Sequence, residues 1–499
     1  MGRHIRQLAS DTAVYGLSTM AARFMNYLLV PFYTNVFATA EYGVVGKIYA
    51  AFVFLNVLYT YGMESAYLKY AAKGDDAGRK RVFSTAFWTL LASSALLSAS
   101  LALFHGSFSD LLGLGPEHET LVFYMAAILA VDALLALPMA DLRLSRKPWA
   151  FAAIRMTGVV VNLGLNFWLI LGRGWGVEAV LAGNLAASVV SLAMAGPVLL
   201  ARLGAVFGKP DLAGMLRFGL PYVPTGAAYA VTEAIDRFFL DRMDPAAAVE
   251  LYGAGTTPED VVGVYNACYK LGVFMLLFVQ MFRFAWQPFF LQLQDDAEAP
   301  AIFARVFTLF TALGAFVFLA VSLFAARIVA IPVPGTDGTR HLIGEAYWAG
   351  VYFVPLILLA YLAQGWYTHF TAGIFIRGKT AHLPWITLVG AGVTLAINGL
   401  FTAQHGMSAA ATATFMSHFA MAIVMGWVAH RFFPIPYEWR KLWAVALITA
   451  AAYAAHAWVL PEEAAVARGA ILLGAGAGFT AVGALPRPWR KASGETAAR

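Results

Sequence analysis

Charge is what this chain has least of: 12% of its 499 residues are Asp, Glu, Lys or Arg, against roughly 25% in soluble domains. A surface so poor in charge cannot solvate a protein of this size, which excludes a water-soluble globular enzyme. The single cysteine, Cys268, excludes a disulfide framework and the usual cysteine metal sites. No metal-ligand cluster, phosphate-cradling glycine loop or hydrolase triad can be assembled, so neither cofactor nor metal is expected. Long aqueous segments are missing too. The longest, Lys69–Arg81, Asp241–Glu259 and Arg283–Ala301, leave no room for a soluble catalytic domain. No cleavable signal is evident, because the first apolar run, after Arg3 and Arg6, is too long and too studded with polar residues.

What is abundant is apolar: 60% of residues are hydrophobic and the mean hydropathy is +0.69. Most of the chain is therefore expected to lie in lipid as an all-α membrane protein. A crossing helix needs about 20 mostly apolar residues. That ruler places about 14 spans, near residues 11–33, 42–64, 82–104, 120–140, 150–172, 177–201, 213–240, 260–282, 302–326, 344–373, 383–402, 406–429, 441–460 and 467–485. The net charge of +6 does not point to nucleic acid, because the cations sit in membrane loops, where they report orientation. With the N-terminus in the cytoplasm, 24 of the 34 lysines and arginines fall on the cytoplasmic side and 6 outside. Both termini are expected in the cytoplasm of a cytoplasmic (inner) membrane, multi-pass protein.

The basic loop Arg202–Arg217 separates six spans from six more. The expected organisation is a six-helix lobe at 1–210, a second at 211–435, and an extra helix pair with a tail at 436–499. A short repeat supports it: EYGVVGKIY at Glu41–Tyr49 and EDVVGVY at Glu259–Tyr265 both lie where the chain re-enters the membrane after the first helix of a lobe. Duplicated lobes place a substrate site near the midplane between them. Pro221 and Pro224 inside the seventh span, with Pro31 and Pro355, are expected to kink their helices.

Charges within spans are costly, on the order of 3 kcal/mol at the bilayer centre. Arg23 lies about 12 residues, or about 18 Å, into the first span, one turn from Asn26. It is read as a cavity cation, with a structural arginine bonded to helix-end carbonyls as the alternative. Lys270 is again near the midplane. Lys47 and Arg155 lie closer to span ends, so that a side chain reaching the interface competes with a cavity role. Glu233, Asp236 and Arg237 share one face of the seventh span and fit either an external gate or coupling cluster, or a solvated helix end. Asp132, mid-span, fits a proton or cation site or the partner of an in-membrane base. Arg23, Lys47, Arg155 and Lys270 outweigh the deep carboxylates, so the cavity should hold an anion. Phosphate or pyrophosphate matches an arginine fork and a lysine point charge. Mid-span Asn162, Asn166, Gln364, His369 and His418, with Tyr265, Tyr269, Tyr361 and Trp366, suit sugar rings and serve equally as interhelical hydrogen-bond partners.

Four stretches, Leu28–Gly46 (LLVPFYTNVFATAEYGVVG), Gly219–Leu240 (GLPYVPTGAAYAVTEAIDRFFL), Val262–Gly272 (VGVYNACYKLG) and Phe282–Phe290 (FRFAWQPFF), resemble the polysaccharide-biosynthesis, O-antigen flippase branch of the multidrug/oligosaccharidyl-lipid/polysaccharide exporter superfamily. The resemblance implies two six-helix lobes plus two helices. It also implies movement of an undecaprenyl-pyrophosphate-linked oligosaccharide to the outer leaflet, with Arg23 and Lys270 at the positions of family cavity cations. Expected partners are that lipid-linked substrate, membrane lipids, and polysaccharide polymerase and assembly proteins. A cation-coupled drug exporter of the same superfamily is the alternative, disfavoured by the basic cavity. An integral-membrane glycan polymerase or ligase is weaker still, because it would need a larger external loop.

Overall fold

A computed structural model describes residues 14–72, 75–333, 339–459 and 465–485, apart from 15, 17, 19, 22–24 and 26. The described residues are helical, save turns, loops and one isolated bridge between Pro332 and His341. The longer helices are α1 Thr39–Thr60, α2 Asp76–Leu103, α3 Thr120–Leu144, α4 Pro148–Phe167, α5 Glu178–Met194, α6 Tyr222–Asp241, α7 Pro258–Tyr269, α8 Val273–Gln292, α9 Ala299–Val329, α10 Val354–Ile376, α11 Leu383–Phe432, α12 Trp439–Val459 and α13 Ala465–Ala481. This outcome follows from the medium: with no water to satisfy backbone amides, each apolar segment must close its own hydrogen bonds.

Among the described residues, eight helical runs are long and apolar enough to cross a membrane. A ninth appears if Glu178–Met194 and Gly196–Arg202, bent by 47°, make one crossing. The difference from about 14 has visible causes. The first expected span lies partly outside the described residues. α6 carries Glu233, Asp236, Arg237 and Asp241 within its twenty residues, which dilutes its apolar character. α11 covers two expected spans: its fifty residues would run about 75 Å at 1.5 Å per residue, far more than the roughly 30 Å hydrocarbon core. Gly406 breaks it with φ 51° and ψ −129°, at the join expected near residues 403–405. A side chain there would strike Tyr252, whose hydroxyl accepts the Met407 amide at 2.7 Å.

Pro221 and Pro224 do not kink a continuous seventh span. They stand at the N-cap and in the first turn of α6, after the separate helix Lys209–Gly219. A proline lacks the amide proton an interior turn needs, but the first turn leaves that donor unused anyway. Pro355 likewise falls in the first turn of α10.

The chain packs as two compact units. One comprises Met1–Lys270, Pro332–Ala349 and Thr394–Ala410; the other comprises Leu271–Ile331, Gly350–Val393 and Ala411–Arg499. A core of the first gathers Tyr67, Phe83, Phe87, Leu137 and Met215. A core of the second gathers Trp286, Phe290, Phe303, Phe433 and Ile435. In lipid such cores hold by close contact and hydrogen bonding, since tails and leucines are equally apolar.

Candidate functional site

The site of the first unit is built on α1 and α7. Each starts with a carboxylate on an N-cap amide: Glu41 accepts the Ala38 amide at 2.9 Å, and Asp260 accepts the Thr257 amide at 2.9 Å while Thr257 in return accepts the Asp260 amide at 3.2 Å. The helices run side by side in the same direction. A Cβ on Gly43 would collide with the Glu259 carbonyl, and one on Gly263 with the Thr39 carbonyl. Gly46 lies against Asn266 one turn on, and Thr39 donates to the Asp260 carboxylate. The two segments of the sequence repeat are thus packed against each other. Their glycines let backbones approach as only small residues allow.

α6 crosses this pair. The Asp236 carboxylate, 2% exposed, accepts the Tyr265 hydroxyl at 2.7 Å and pairs with Arg237 at 2.6 Å. Arg237 also donates to the Glu233 carbonyl at 2.9 Å, and its guanidinium lies 4.3 Å from the Tyr269 ring centre and 5.2 Å from that of Tyr265. A carboxylate, a carbonyl and two aromatic faces converge on this arginine, which a buried cation requires. Glu233, Asp236 and Arg237 therefore hold a largely buried stretch of helix.

Lys270 follows directly at the end of α7. Its ammonium lies 5.7 Å from the Tyr27 ring centre and feels the positive charge of Arg237. Among the described residues, no carboxylate pairs with Lys270. Arg237 is neutralised by Asp236, so a net positive charge is left at Lys270, with the Tyr27 ring facing it. Arg23, expected to share this role, lies outside the described residues, as does Asn26.

Lys47 is placed otherwise. It is fully buried, pairs with Asp241 at 2.7 Å and donates to the Gly113 carbonyl at 2.6 Å. Its charge is spent within the protein, binding α1 to the end of α6 and to the loop before α3. Asp132 of α3 and Arg155 of α4 bear on each other electrostatically, and Ser188 of α5 hydrogen-bonds Asp132. Arg155 also lies 5.8 Å from the Phe151 ring centre. The structure therefore gathers Asp236, Arg237 and Lys270 in one place and sets Lys47 and the Asp132–Arg155 pair in two others.

Among the first unit's other buried or half-buried polar groups, sequence reasoning singled out Asn162 and Asn166 but passed over Asp141. Asp141, 4% exposed, takes the Arg79 guanidinium at 2.7 Å and the Tyr67 hydroxyl, with Arg202 at 3.5 Å. Arg79 and Arg202 had registered only as loop cations. The one available signal is that Asp141 stands as a lone acid beside Arg143, Arg146 and Lys147 in ADLRLSRK. Tyr33 donates to Asn166 at 2.7 Å and Asn166 to Asn162 at 2.8 Å. Among the described residues, no group of three or more His, Cys, Asp or Glu could hold a metal ion.

The sequence pattern of the family described as "Polysaccharide biosynthesis protein" matches residues 8–294, which include α1, α6, α7 and every charged residue of the site. The chain belongs to the polysaccharide biosynthesis protein family. Among curated proteins, none matches it significantly. Solved structures share the fold of this family member. A lipid II flippase, MurJ, in an inward closed conformation is 12% identical, with a TM-score of 0.72 over 94% of this chain and 98% of that one. An inward-facing multidrug resistance MATE family transporter of the MOP superfamily is 14% identical, with a TM-score of 0.64 over 84% and 94%. The eukaryotic MATE transporter AtDTX14 is 13% identical, with a TM-score of 0.52 over 88% and 97%. At such identities the likeness establishes the fold: this family member is a multi-pass helical membrane protein built like the transporters of that superfamily.

Proposed function

We propose that this chain moves an undecaprenyl-pyrophosphate-linked oligosaccharide, a polysaccharide or O-antigen repeat unit, from the cytoplasmic to the outer leaflet by alternating access. The observation that carries the reading is the cation at Lys270: half-buried, within reach of the Arg237 charge, faced by the Tyr27 ring and given no described carboxylate. A buried charge is retained only where something compensates it, and a diphosphate group does so with charge-assisted hydrogen bonds. Arg23 and Lys270 hold the phosphates in this reading. Lys47, paired with Asp241 in this conformation, and Arg155, which bears on Asp132, become available only as helices part. Glu233, Asp236 and Arg237 form the gate or coupling cluster, with Asp132 answering to Arg155. The lobes at 1–210 and 211–435 and the pair at 436–499 supply the moving parts. The setting is the cytoplasmic membrane with both termini inside, where polysaccharide polymerase and assembly proteins would take the product.

A cation-coupled drug exporter is the second reading, and the MATE likeness favours it. The described acids weigh against it: Asp141, Asp236 and Asp241 each already hold a cation, leaving little to attract a cationic drug. No step of bond chemistry is proposed, so the chain is read as a transporter and not an enzyme. Complementation decides between the readings. In a strain lacking its O-unit flippase, this chain should clear the accumulated lipid-linked intermediate. Unrelieved accumulation, with drug resistance gained instead, would favour the exporter.

A further inference from the structure

Two turns of the second unit meet, one where α10 gives way to α11 and one where α11 gives way to α12. Gly378 ends α10 with φ 64°, a left-handed position that glycine takes without strain. The Gly378 amide donates to the Phe375 carbonyl at 3.1 Å and the Lys379 amide to the Ile374 carbonyl at 2.9 Å, so the chain reverses sharply. Arg377 and Lys379 flank that glycine, and both reach the other turn. Arg377 donates to the Phe432 carbonyl at 3.2 Å, a group that the end of α11 leaves without a helical partner. The Lys379 ammonium lies 5.7 Å from the Phe432 ring centre. Arg431, next to Phe432, stacks its guanidinium 3.5 Å from the Trp427 ring centre. Three cations are thereby gathered about one residue.

All three are exposed, and among the described residues no acid pairs with any of them. The loop cations of the first unit are treated differently: Arg79, Arg81, Arg143 and Arg202 pair with Asp141, Asp211, Glu64 and Asp76. In the second turn, Glu438 pairs with Lys441 at 2.5 Å. Loop cations set orientation wherever they stand along a loop, so orientation alone does not ask for three to converge. Bare apolar surface begins beside them. Trp385 stands in the first turn of α11 and Trp427 just over one turn before its end, 70% and 57% exposed. Ile386 clusters with Met421 and Met425, which sets the two halves of α11 side by side. Leu388 and Ile423 carry the exposed apolar surface onward from the turns. Indole rings at span ends lie at the level of lipid headgroups. Cations at that level, with apolar helix beyond them, match a molecule with an anionic head and acyl tails. A free phosphate would use the cations alone.

We propose that Arg377, Lys379 and Arg431 form a headgroup site for an anionic phospholipid, its phosphate on the cations and its acyl chains along α11 beside Trp427. A guanidinium gives phosphate charge-assisted hydrogen bonds, and basic clusters at the ends of membrane helices recruit anionic headgroups. The occupant is a resident lipid of the bilayer, so the inference stands apart from the transport reading and holds whatever cargo the chain carries.

The test places the full chain in phosphatidylcholine nanodiscs with a minor fraction of phosphatidylglycerol. After extraction into detergent, native mass spectrometry counts the lipids retained. The wild type should keep phosphatidylglycerol well above its share of the bilayer. Lys379→Gln with Arg431→Gln leaves the Arg377 hydrogen bond to Phe432 in place and should lower that enrichment by roughly fivefold for each cation lost. Arg146→Gln with Lys147→Gln removes equal charge from an exposed turn of the first unit and should leave it unchanged. Equal loss in both double variants would assign the enrichment to diffuse surface charge and overturn the site, as would a wild type without enrichment. Inorganic phosphate should not displace the lipid; displacement at millimolar phosphate would reduce the cluster to an anion site without acyl-chain contact and overturn the proposal. Should Lys379→Gln with Arg431→Gln fail to fold, quenching by brominated lipid decides. Brominated phosphatidylglycerol should dim the part of the emission lost in Trp427→Phe more than brominated phosphatidylcholine does, and equal dimming by the two overturns the proposal.

Discussion

Lys47 gives its charge to Asp241 and a further hydrogen bond to Gly113, and neither side chain keeps meaningful exposure (0% and 7%). Breaking such a pair from one side strands a buried charge, at a cost of about 3–5 kcal/mol, whereas replacing both partners with apolar groups of like volume is often neutral. Lys47→Ala should therefore lower folded protein in the membrane sharply, and Lys47→Met with Asp241→Leu should restore most of it, as read by yield and thermal unfolding. Equal loss in both would contradict the stranded-charge account, because the fold would then need these groups for more than their mutual pairing. At this scale the sequence was half legible. The depth of Lys47 and Lys270 could be read from residue counting, but not that Asp241, far along the chain, would meet one of them and no described acid the other. The spacing of Glu233, Asp236 and Arg237 was visible, whereas Tyr265 as the third partner came from α7, which only folding brings near. Asp236→Ala should reduce both abundance and transport, because Arg237 loses its counter-charge. Tyr265→Phe removes a single hydrogen bond to a charged group, worth about 1.5–3 kcal/mol, and should leave the helix in place.

Between helices, the seam of α1 and α7 depends on the absence of two side chains. Gly43→Ala and Gly263→Ala should each force the pair apart, at about 1–3 kcal/mol for overpacking. Gly106→Ala, with nothing within 4 Å of its new methyl, should be silent. Cysteine cross-linking between positions 39 and 260 offers the readout: a reduced yield in the two seam variants and an unchanged one in the control. The repeat EYGVVGKIY and EDVVGVY could be read in the sequence as a trace of duplication. That its halves would pack on each other could not, because a repeat records descent and says nothing of contact. The prolines illustrate the converse. Their effect on a helix is certain, but whether they bend it or begin it depends on where the preceding turn ends, and Gly219 against Tyr61 and Gly62 ends it before Pro221.

For the whole molecule, the charge bias of the loops sets orientation. The seam adds an independent constraint, since the starts of α1 and α7 lie together at Thr39 and Asp260 and so must share one side of the membrane. Reporter fusions after Arg81, Lys147 and Lys491 should score cytoplasmic, and fusions near Glu119 and Thr256 external. A cytoplasmic score at Thr256 would invert the second half and break the two-lobe arrangement. All-helical membrane architecture was legible from composition, because a chain this poor in charge has no other solvent. The number of crossings was less so: among the described residues eight helical runs, or nine with the bent pair, are long and apolar enough to cross, against about 14 expected from apolar stretches alone.

The central claim is that a phosphate-bearing lipid carrier is held by Lys270 while it crosses, and glycan flipping by the reconstituted chain measures it directly. The wild type should expose undecaprenyl-pyrophosphate-linked oligosaccharide on the opposite leaflet. Lys270→Ala should insert and fold as well as the wild type, since it removes a costly charge. It should nevertheless bind substrate about 10- to 150-fold more weakly, from the loss of one charge-assisted contact of about 1.5–3 kcal/mol, and flip correspondingly less at low substrate. A well-folded Lys270→Ala protein that flips the glycan at the wild-type rate at every substrate concentration would contradict the account.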